Sequence, residues 1–243
     1  IIALAIETLK RKTAEELIIY KSEILTAIAK TTDKLLQSDH LVEVFDESLR
    51  EIGKATKIDR IYYFENELET NLMSQKFEWT SHDSLKEIDN PELQNIPHDL
   101  YLDFINVIIH NKPYIALVNE IPEGRFKTIL KEQHILSILI LPIFVKDTFS
   151  GFIGFDDCTT ERIWTTDEIN ILQTFTNNIA ATIERLHSER IIRENEEKFS
   201  LLANNIPAAV YLVKYNEERT KVFLNDEIEK LTGYSKEDFF EGR

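Results

Sequence analysis

Two apolar runs separated by a short polar connection dominate the hydrophobic pattern of the chain, between Ile135 and Asp157. Ile138 to Val145 is apolar at every position, so both faces must be covered, and the run is too short for an ordinary buried helix. It predicts a central strand. Lys146, Asp147 and Thr148 supply a turn, and Phe149 to Phe155 return as a second strand with Phe149, Ile153 and Phe155 on one face and Phe152 on the other. Gly151 and Gly154 predict a bulge or a close approach by backbone or ligand, and Pro142 predicts a bulge or an unpaired amide in the first strand.

The remaining elements follow from changes of period. Ile1 to Ile6 is an apolar run of strand length, broken by Glu7-Thr8-Leu9 before a charged helix begins near Arg11. Leu17, Lys21, Ile24, Ile28, Thr31 and Leu35 then recur at spacings of four and three, with Ile18, Leu25 and Leu36 widening the stripe. A helix with two adjacent stripes can pack on its own domain, on a second copy of the chain, or on both. His40 to Thr56 repeats the helical pattern through Leu41, Val44, Phe45, Leu49 and Ile52, with Ser38 or Asp39 as N-cap. Ile58 to Glu65 and Leu72 to Thr80 read as strands, and Ser81 to His98 as a long surface loop. Leu100 to His110 reads as a short helix burying Leu102, Ile105, Val107 and Ile109; Pro113 to Val118 is a strand and Arg125 to Gln133 another short helix. Thr165 or Thr166 caps a long helix whose stripe runs from Ile169 through Leu172, Thr176, Ile179, Ile183 and Leu186, then turns polar at Arg190 and Arg193. Beyond Glu197, short apolar runs at 199–202, 210–213 and 222–224, a helix at 226–231 and a Gly233-Tyr234 turn open a further small module.

The 243 residues, 43% of them apolar, suffice for a packed core, and no apolar run is long enough to span a bilayer. The chain starts at Ile1 and has its single methionine at Met73, which predicts an internal fragment of a longer protein. A net charge of −15 repels phosphate backbones and anionic lipid, which argues against nucleic-acid and membrane partners for this segment. Cys158 is the one cysteine, which excludes an internal disulfide; a strand-end residue is preferred over a redox centre.

No catalytic constellation is present. The six histidines lack the spacing that places two ligands on one helix face, and no glycine-rich loop precedes a lysine. Asp156, Asp157 and Glu161 come nearest to a cation site, but the glycine and asparagine spacing of a calcium loop is missing, so a polar strand end capping the next turn is preferred. No metal site is expected.

The order of elements, with Asp59-Arg60 to Glu65, Phe77-Glu78-Trp79, Ser137 to Ile143, GFIGFDD at 151–157, Arg162 and Trp164 to Leu172, resembles a GAF domain over residues 38–187. The resemblance implies an α+β fold: an antiparallel sheet with long N- and C-terminal helices on one face and short helices and loops on the other. Residues 199–243, with EEKFSLLANNIPAAVYLV leading in, then FLN and LTGYSKEDF, resemble the first half of a PAS domain. Residues 1–9 resemble the last strand of another, with 10–37 as a signalling helix and 188–198 as a helical linker.

Such a series implies a regulatory segment of a bacterial sensor histidine kinase, cytoplasmic, acting as a homodimer through its terminal helices, with adjacent PAS and output domains on the same chain. A cyclic-di-GMP enzyme's regulatory segment and a ligand-free dimerisation scaffold are the alternatives. GAF domains can enclose a small molecule between the sheet and the short helices. Carried onto this chain, the lining would include Phe77, Trp79, Phe104, Tyr114, Ile138 and Phe152. The cysteine that bilin-binding members would place within 100–134 is missing, as is the NKFDE motif of cyclic-nucleotide-binding members. No cofactor is evident, and an unidentified small ligand is left open.

Overall fold

The computed structural model describes residues 2–38, 41–214 and 221–241. The chain divides into two compact units, 1–186 and 187–243.

In the first unit, six strands form one antiparallel sheet in the order β3-β2-β1-β6-β5-β4. They are β1 (Arg60–Glu67), β2 (Leu72–Thr80), β3 (Ile96–Pro97), β4 (Tyr114–Leu117), β5 (Ser137–Val145) and β6 (Thr148–Asp157). Three long helices are α1 (Ile2–Gln37), α2 (Leu41–Thr56) and α5 (Thr166–Asn204), the last continuing into the second unit; α3 (Leu102–Ile108) and α4 (Arg125–Glu132) are short. Two apolar clusters, one on each face of the sheet, make the core. On one, Ile24, Ile28 and Leu35 of α1, Phe45 and Ile52 of α2, and Phe175 and Ile179 of α5 pack on Ile61, Leu141 and Phe155. On the other, Phe104 and Ile108 of α3 and Phe126 and Leu130 of α4 pack on Phe64, Ile140 and Phe152. This is the α+β architecture expected, with long helices on one face and short ones on the other.

The hairpin forms with β5 in the sheet interior and a two-residue turn in which Lys146 and Asp147 both have positive φ, the geometry that matches strand twist. Pairing slips between Ile143 and Phe144, leaving Ser150 as an extra residue. Gly151 takes φ 149°, and a Cβ there would lie 2.1 Å from the Phe64 carbonyl oxygen, so only glycine fits. The bulge corrects one expectation: Phe149 joins the cluster of Phe152, while Ile153 and Phe155 face the long helices. Pro142 lies beyond the end of β4, whose pairing stops at Ile140, so no ladder bond to that neighbour is lost.

Other differences have equally local reasons. Of the run 1–6 expected as a strand, Ile1 lies outside the described residues and residues 2–6 begin α1; among the described residues no strand pairs with them, and the backbone bonds within a helix instead. Of the residues expected to be buried on α3, only Ile105 is; Leu102 and Ile109 are exposed, and Phe104 and Ile108 take the inner face at helical spacing. His40 and Asp39 lie outside the described residues. Residues 81–98 contain two single 3₁₀ turns, Asp83–Leu85 and Pro91–Leu93, and the short edge strand β3.

In the second unit, β7 (Tyr211–Val213) pairs antiparallel with β8 (Lys221–Leu224), followed by α6 (Glu227–Thr232) and α7 (Lys236–Glu241). Asn225 is fully buried: its oxygen accepts from the Val210 amide and its nitrogen donates to the carbonyls of Ala203 and Ala208. Gly233 closes α6 in the left-handed conformation.

Candidate functional site: a cavity under the short helices

A cavity of about 50 Å³ lies between the sheet and the short helices. Most of its wall is apolar. Phe64 and Phe152, on neighbouring strands, stack with centroids 4.9 Å apart, and Phe104 and Phe126 close the helical side at 4.8 Å. Met73 reaches the wall from β2.

Besides the hydroxyl-bearing Tyr62 and Tyr101, the polar side chains Arg60, Gln75 and Gln133 enter this wall. Alternation along β1 sends Arg60, Tyr62 and Phe64 to the cavity face and Ile61 and Tyr63 to the long helices. Arg60 is buried and donates from Nε (3.0 Å) and Nη2 (2.8 Å) to Asp156 Oδ2; Nη2 also reaches Gln133 Oε1 at 2.8 Å. The Tyr62 hydroxyl donates to Asp156 Oδ1 at 3.2 Å. Burial pushes the Asp156 carboxyl up to about 6 against the opposing pull of Arg60, and burial likewise pushes the Tyr62 phenol upward. The nitrogens of Gln75 and Gln133 are buried without a hydrogen-bond partner. Gln75 lies near the Glu78 carboxylate and lowers its pKa, but makes no well-formed bond to it. Burial holds Glu78 above its usual value even though its oxygens accept from the amides of Glu87 and Ile88.

The six expected pocket residues part company here. Phe104 and Phe152 line the cavity. Tyr114 and Ile138 belong to the same apolar cluster without lining it. Phe77 and Trp79 pack on the opposite cluster, Phe77 against Phe45 at 4.8 Å. The cause is a register shift between Tyr63 and Phe64, which leaves Lys76 unpaired in β2. It turns Gln75 to the cavity and Phe77 and Trp79 to the helices. Arg60, Gln75 and Gln133 were missed, although a charged residue opening an apolar strand, with an aspartate closing the apolar GFIGFDD run, is a signal for a buried pair.

The three acidic residues near the end of β6 have separate partners. Asp156 faces Arg60, Asp157 Oδ1 accepts from the Thr159 and Thr160 amides, and Glu161 accepts from Asn119. Among the described residues no three His, Cys, Asp or Glu side chains are placed to hold a metal ion. Burial pushes the Cys158 thiol up to about 12, so it stays protonated at neutral pH.

A second polar cluster lies where α1, α2 and α5 meet. Arg162 donates to the Thr56 carbonyl at 3.0 Å and to Glu168 Oε1 at 2.9 Å, and also bonds the Tyr20 hydroxyl. Thr165 and Glu168 cap α5 reciprocally: the Glu168 amide donates to Thr165 Oγ1 at 3.3 Å and the Thr165 amide to Glu168 Oε2 at 2.9 Å.

A helix-backed antiparallel sheet with a cavity under short helices defines the class, and the chain belongs to the GAF domain family, whose pattern it matches over residues 40–183. It is 39% identical over 168 residues to the methanogenesis regulatory histidine kinase FilI of Methanothrix harundinacea, an alignment covering 68% of this chain and 19% of that protein. The chain thus spans about a fifth of the relative's length. Among solved structures, the phycocyanobilin-bound GAF domain of a cyanobacterial phytochrome superposes with TM-score 0.56 at 17% identity, covering 68% of this chain and 95% of that one. A domain of a putative two-component sensor histidine kinase from Sinorhizobium meliloti superposes with TM-score 0.52 at 15% identity, covering 64% and 99%. Among the described residues, no helix is long and apolar enough to cross a membrane.

Proposed function

We propose that this chain is a sensory and relay segment of a multidomain histidine kinase, with a small ligand in the GAF cavity and two parallel copies joined through α1 and α5. The observation that carries the reading is the 39% identity to a histidine kinase over 168 residues, on a fold whose cavity and long helices share one sheet. Strand β6 presents Phe152 to the cavity and Ile153 and Phe155 to the long helices, so a ligand pressing on one face is felt on the other. Ile18, Leu25 and Leu36 support the dimer: they are exposed and share a face about 100° around α1 from the buried Ile24, Ile28 and Leu35. In this reading residues 199–243 open a PAS domain after a helical linker at 188–198, output domains lie elsewhere on the parent chain, and the segment works in the cytoplasm.

Native mass spectrometry of the purified chain tests the proposal. The expected species is twice the 28.4 kDa chain mass, with a small-molecule increment. A bare monomer at micromolar concentration would remove the dimeric relay.

A further inference from the structure

The cavity wall is apolar except at Arg60, Gln75, Gln133 and the hydroxyl-bearing Tyr62 and Tyr101, and each of these can donate a hydrogen bond. Gln133 Nε2 is buried without an acceptor, its oxygen already engaged by Arg60, and Gln75, 96% buried, has only the poorly aligned Glu78 carboxylate near its amide nitrogen. A buried donor without a partner is retained at a cost, and a ligand acceptor or a water must answer it. The charges around these amides point away from an anion. Arg60 is answered by Asp156 at 2.8 Å, and the half-buried Glu78 lies beside Gln75, so no uncompensated positive charge faces the space. The aromatic pairs Phe64–Phe152 and Phe104–Phe126 leave a flat apolar wall for a carbon skeleton. At about 50 Å³ the space admits a compact molecule of a few heavy atoms. We infer that the cavity selects a small uncharged molecule carrying an acceptor oxygen, such as a ketone, ester or amide, which Gln75 and Gln133 read while the phenylalanine rings hold its apolar body. This rests on the reading of the cavity as a sensor pocket.

Met73 is the only methionine of the chain and lines the cavity at 2% exposure, so its ¹³C-labelled methyl group is a single internal reporter. Three probes separate the possibilities: 2-butanone as neutral acceptor, propionate as an anion of similar bulk, and xenon as a smaller, purely apolar occupant. The expected result is a saturable shift of the Met73 methyl signal with 2-butanone, and binding of propionate weaker by about tenfold or more. Gln75→Leu and Gln133→Leu should each weaken 2-butanone by about tenfold while leaving the xenon shift in place, which also certifies that the variant cavity is intact. If propionate binds as well as 2-butanone, or the two variants bind 2-butanone unchanged while xenon still enters, the inferred ligand class is wrong and the sensor pocket stands. If none of the probes moves the signal, the cavity is closed and both readings fall.

Discussion

Arg60 and Asp156 form a buried ion pair across β1 and β6, with Nη2 2.8 Å from Oδ2 and side-chain exposures of 2% and 0%. Removing one partner of such a pair leaves the other charge buried and unanswered, at a cost of about 3–5 kcal/mol. Asp156 has its folded pKa raised by burial to about 6, above the unfolded value, so its contribution is fully present below about 4 and is lost as pH rises through 6. Arg60→Met raises that pKa further, and the missing attraction is felt only where the carboxyl is ionised. Urea denaturation should therefore find Arg60→Met destabilised by about 3–5 kcal/mol at pH 8 and clearly less at pH 5. An equal loss at both values would sink the account.

Gly53 of α2 lies directly beneath the Trp79 ring, where a Cβ would come within 2.1 Å of Cε3. Gly53→Ala gains about 1 kcal/mol of helix propensity but overpacks the contact, a cost of about 1–3 kcal/mol. The clash should win, giving a net loss measurable by thermal melting. Combining it with Trp79→Leu should show favourable coupling, the double variant being more stable than the two separate losses predict. Strict additivity would mean that the ring swings away freely.

Ile138 to Val145 and the turn at Lys146-Asp147 were legible because an all-apolar run and a polar dipeptide have few alternatives. The α1 stripe through Ile24, Ile28, Thr31 and Leu35 was legible too, each of these being buried as its spacing requires. What alternation could not reveal was where it breaks. The extra residues Lys76 and Ser150 each reverse the facing of what lies beyond them: Ser150 puts Phe149 on the face opposite to the one alternation predicts, and Lys76 turns Phe77 and Trp79, expected in the pocket from the GAF resemblance, to the long helices. The polar part of the cavity has a different reason. Gln75 and Gln133 come from elements far apart in sequence, and a lone glutamine on a strand or at a helix end carries no periodic signal of burial.

The exposed positions on α1 give a test that leaves the core alone. Ile18→Glu with Leu25→Glu changes two side chains that are 67% and 54% exposed, so the melting temperature of an isolated monomer should hardly move. Sedimentation should show the pair of changes converting a dimer to a monomer. Ile24→Ala, one position away but 1% exposed, should instead cost about 2–5 kcal/mol in stability. A wild-type chain that sediments as a monomer throughout would remove the α1 dimer face.

Glu168 sets the acid limit of the helix junction. Burial raises its pKa, but the bonds from Arg162 and Thr165 outweigh this and hold the carboxyl below its usual value. A carboxyl depressed in the folded state contributes stability that is present above its unfolded pKa, about 4.3, and is lost as pH falls through the folded one. Asp59 behaves alike: burial raises it, but the amides of Cys158 and Thr159 and the Ser81 hydroxyl hold it down. Stability should therefore drop on acidification below about pH 4, in the direction opposite to the Asp156 contribution. Glu168→Gln keeps the shape of the cap yet cannot carry the charge that Arg162 pairs with, so it should lose about 1–3 kcal/mol at neutral pH and show a shallower fall in acid. Melting curves from pH 3 to 7 read both. A variant whose acid limb is as steep as the wild type would show that Glu168 does not titrate with folding, and that the contact between α1, α2 and α5 is held by packing alone.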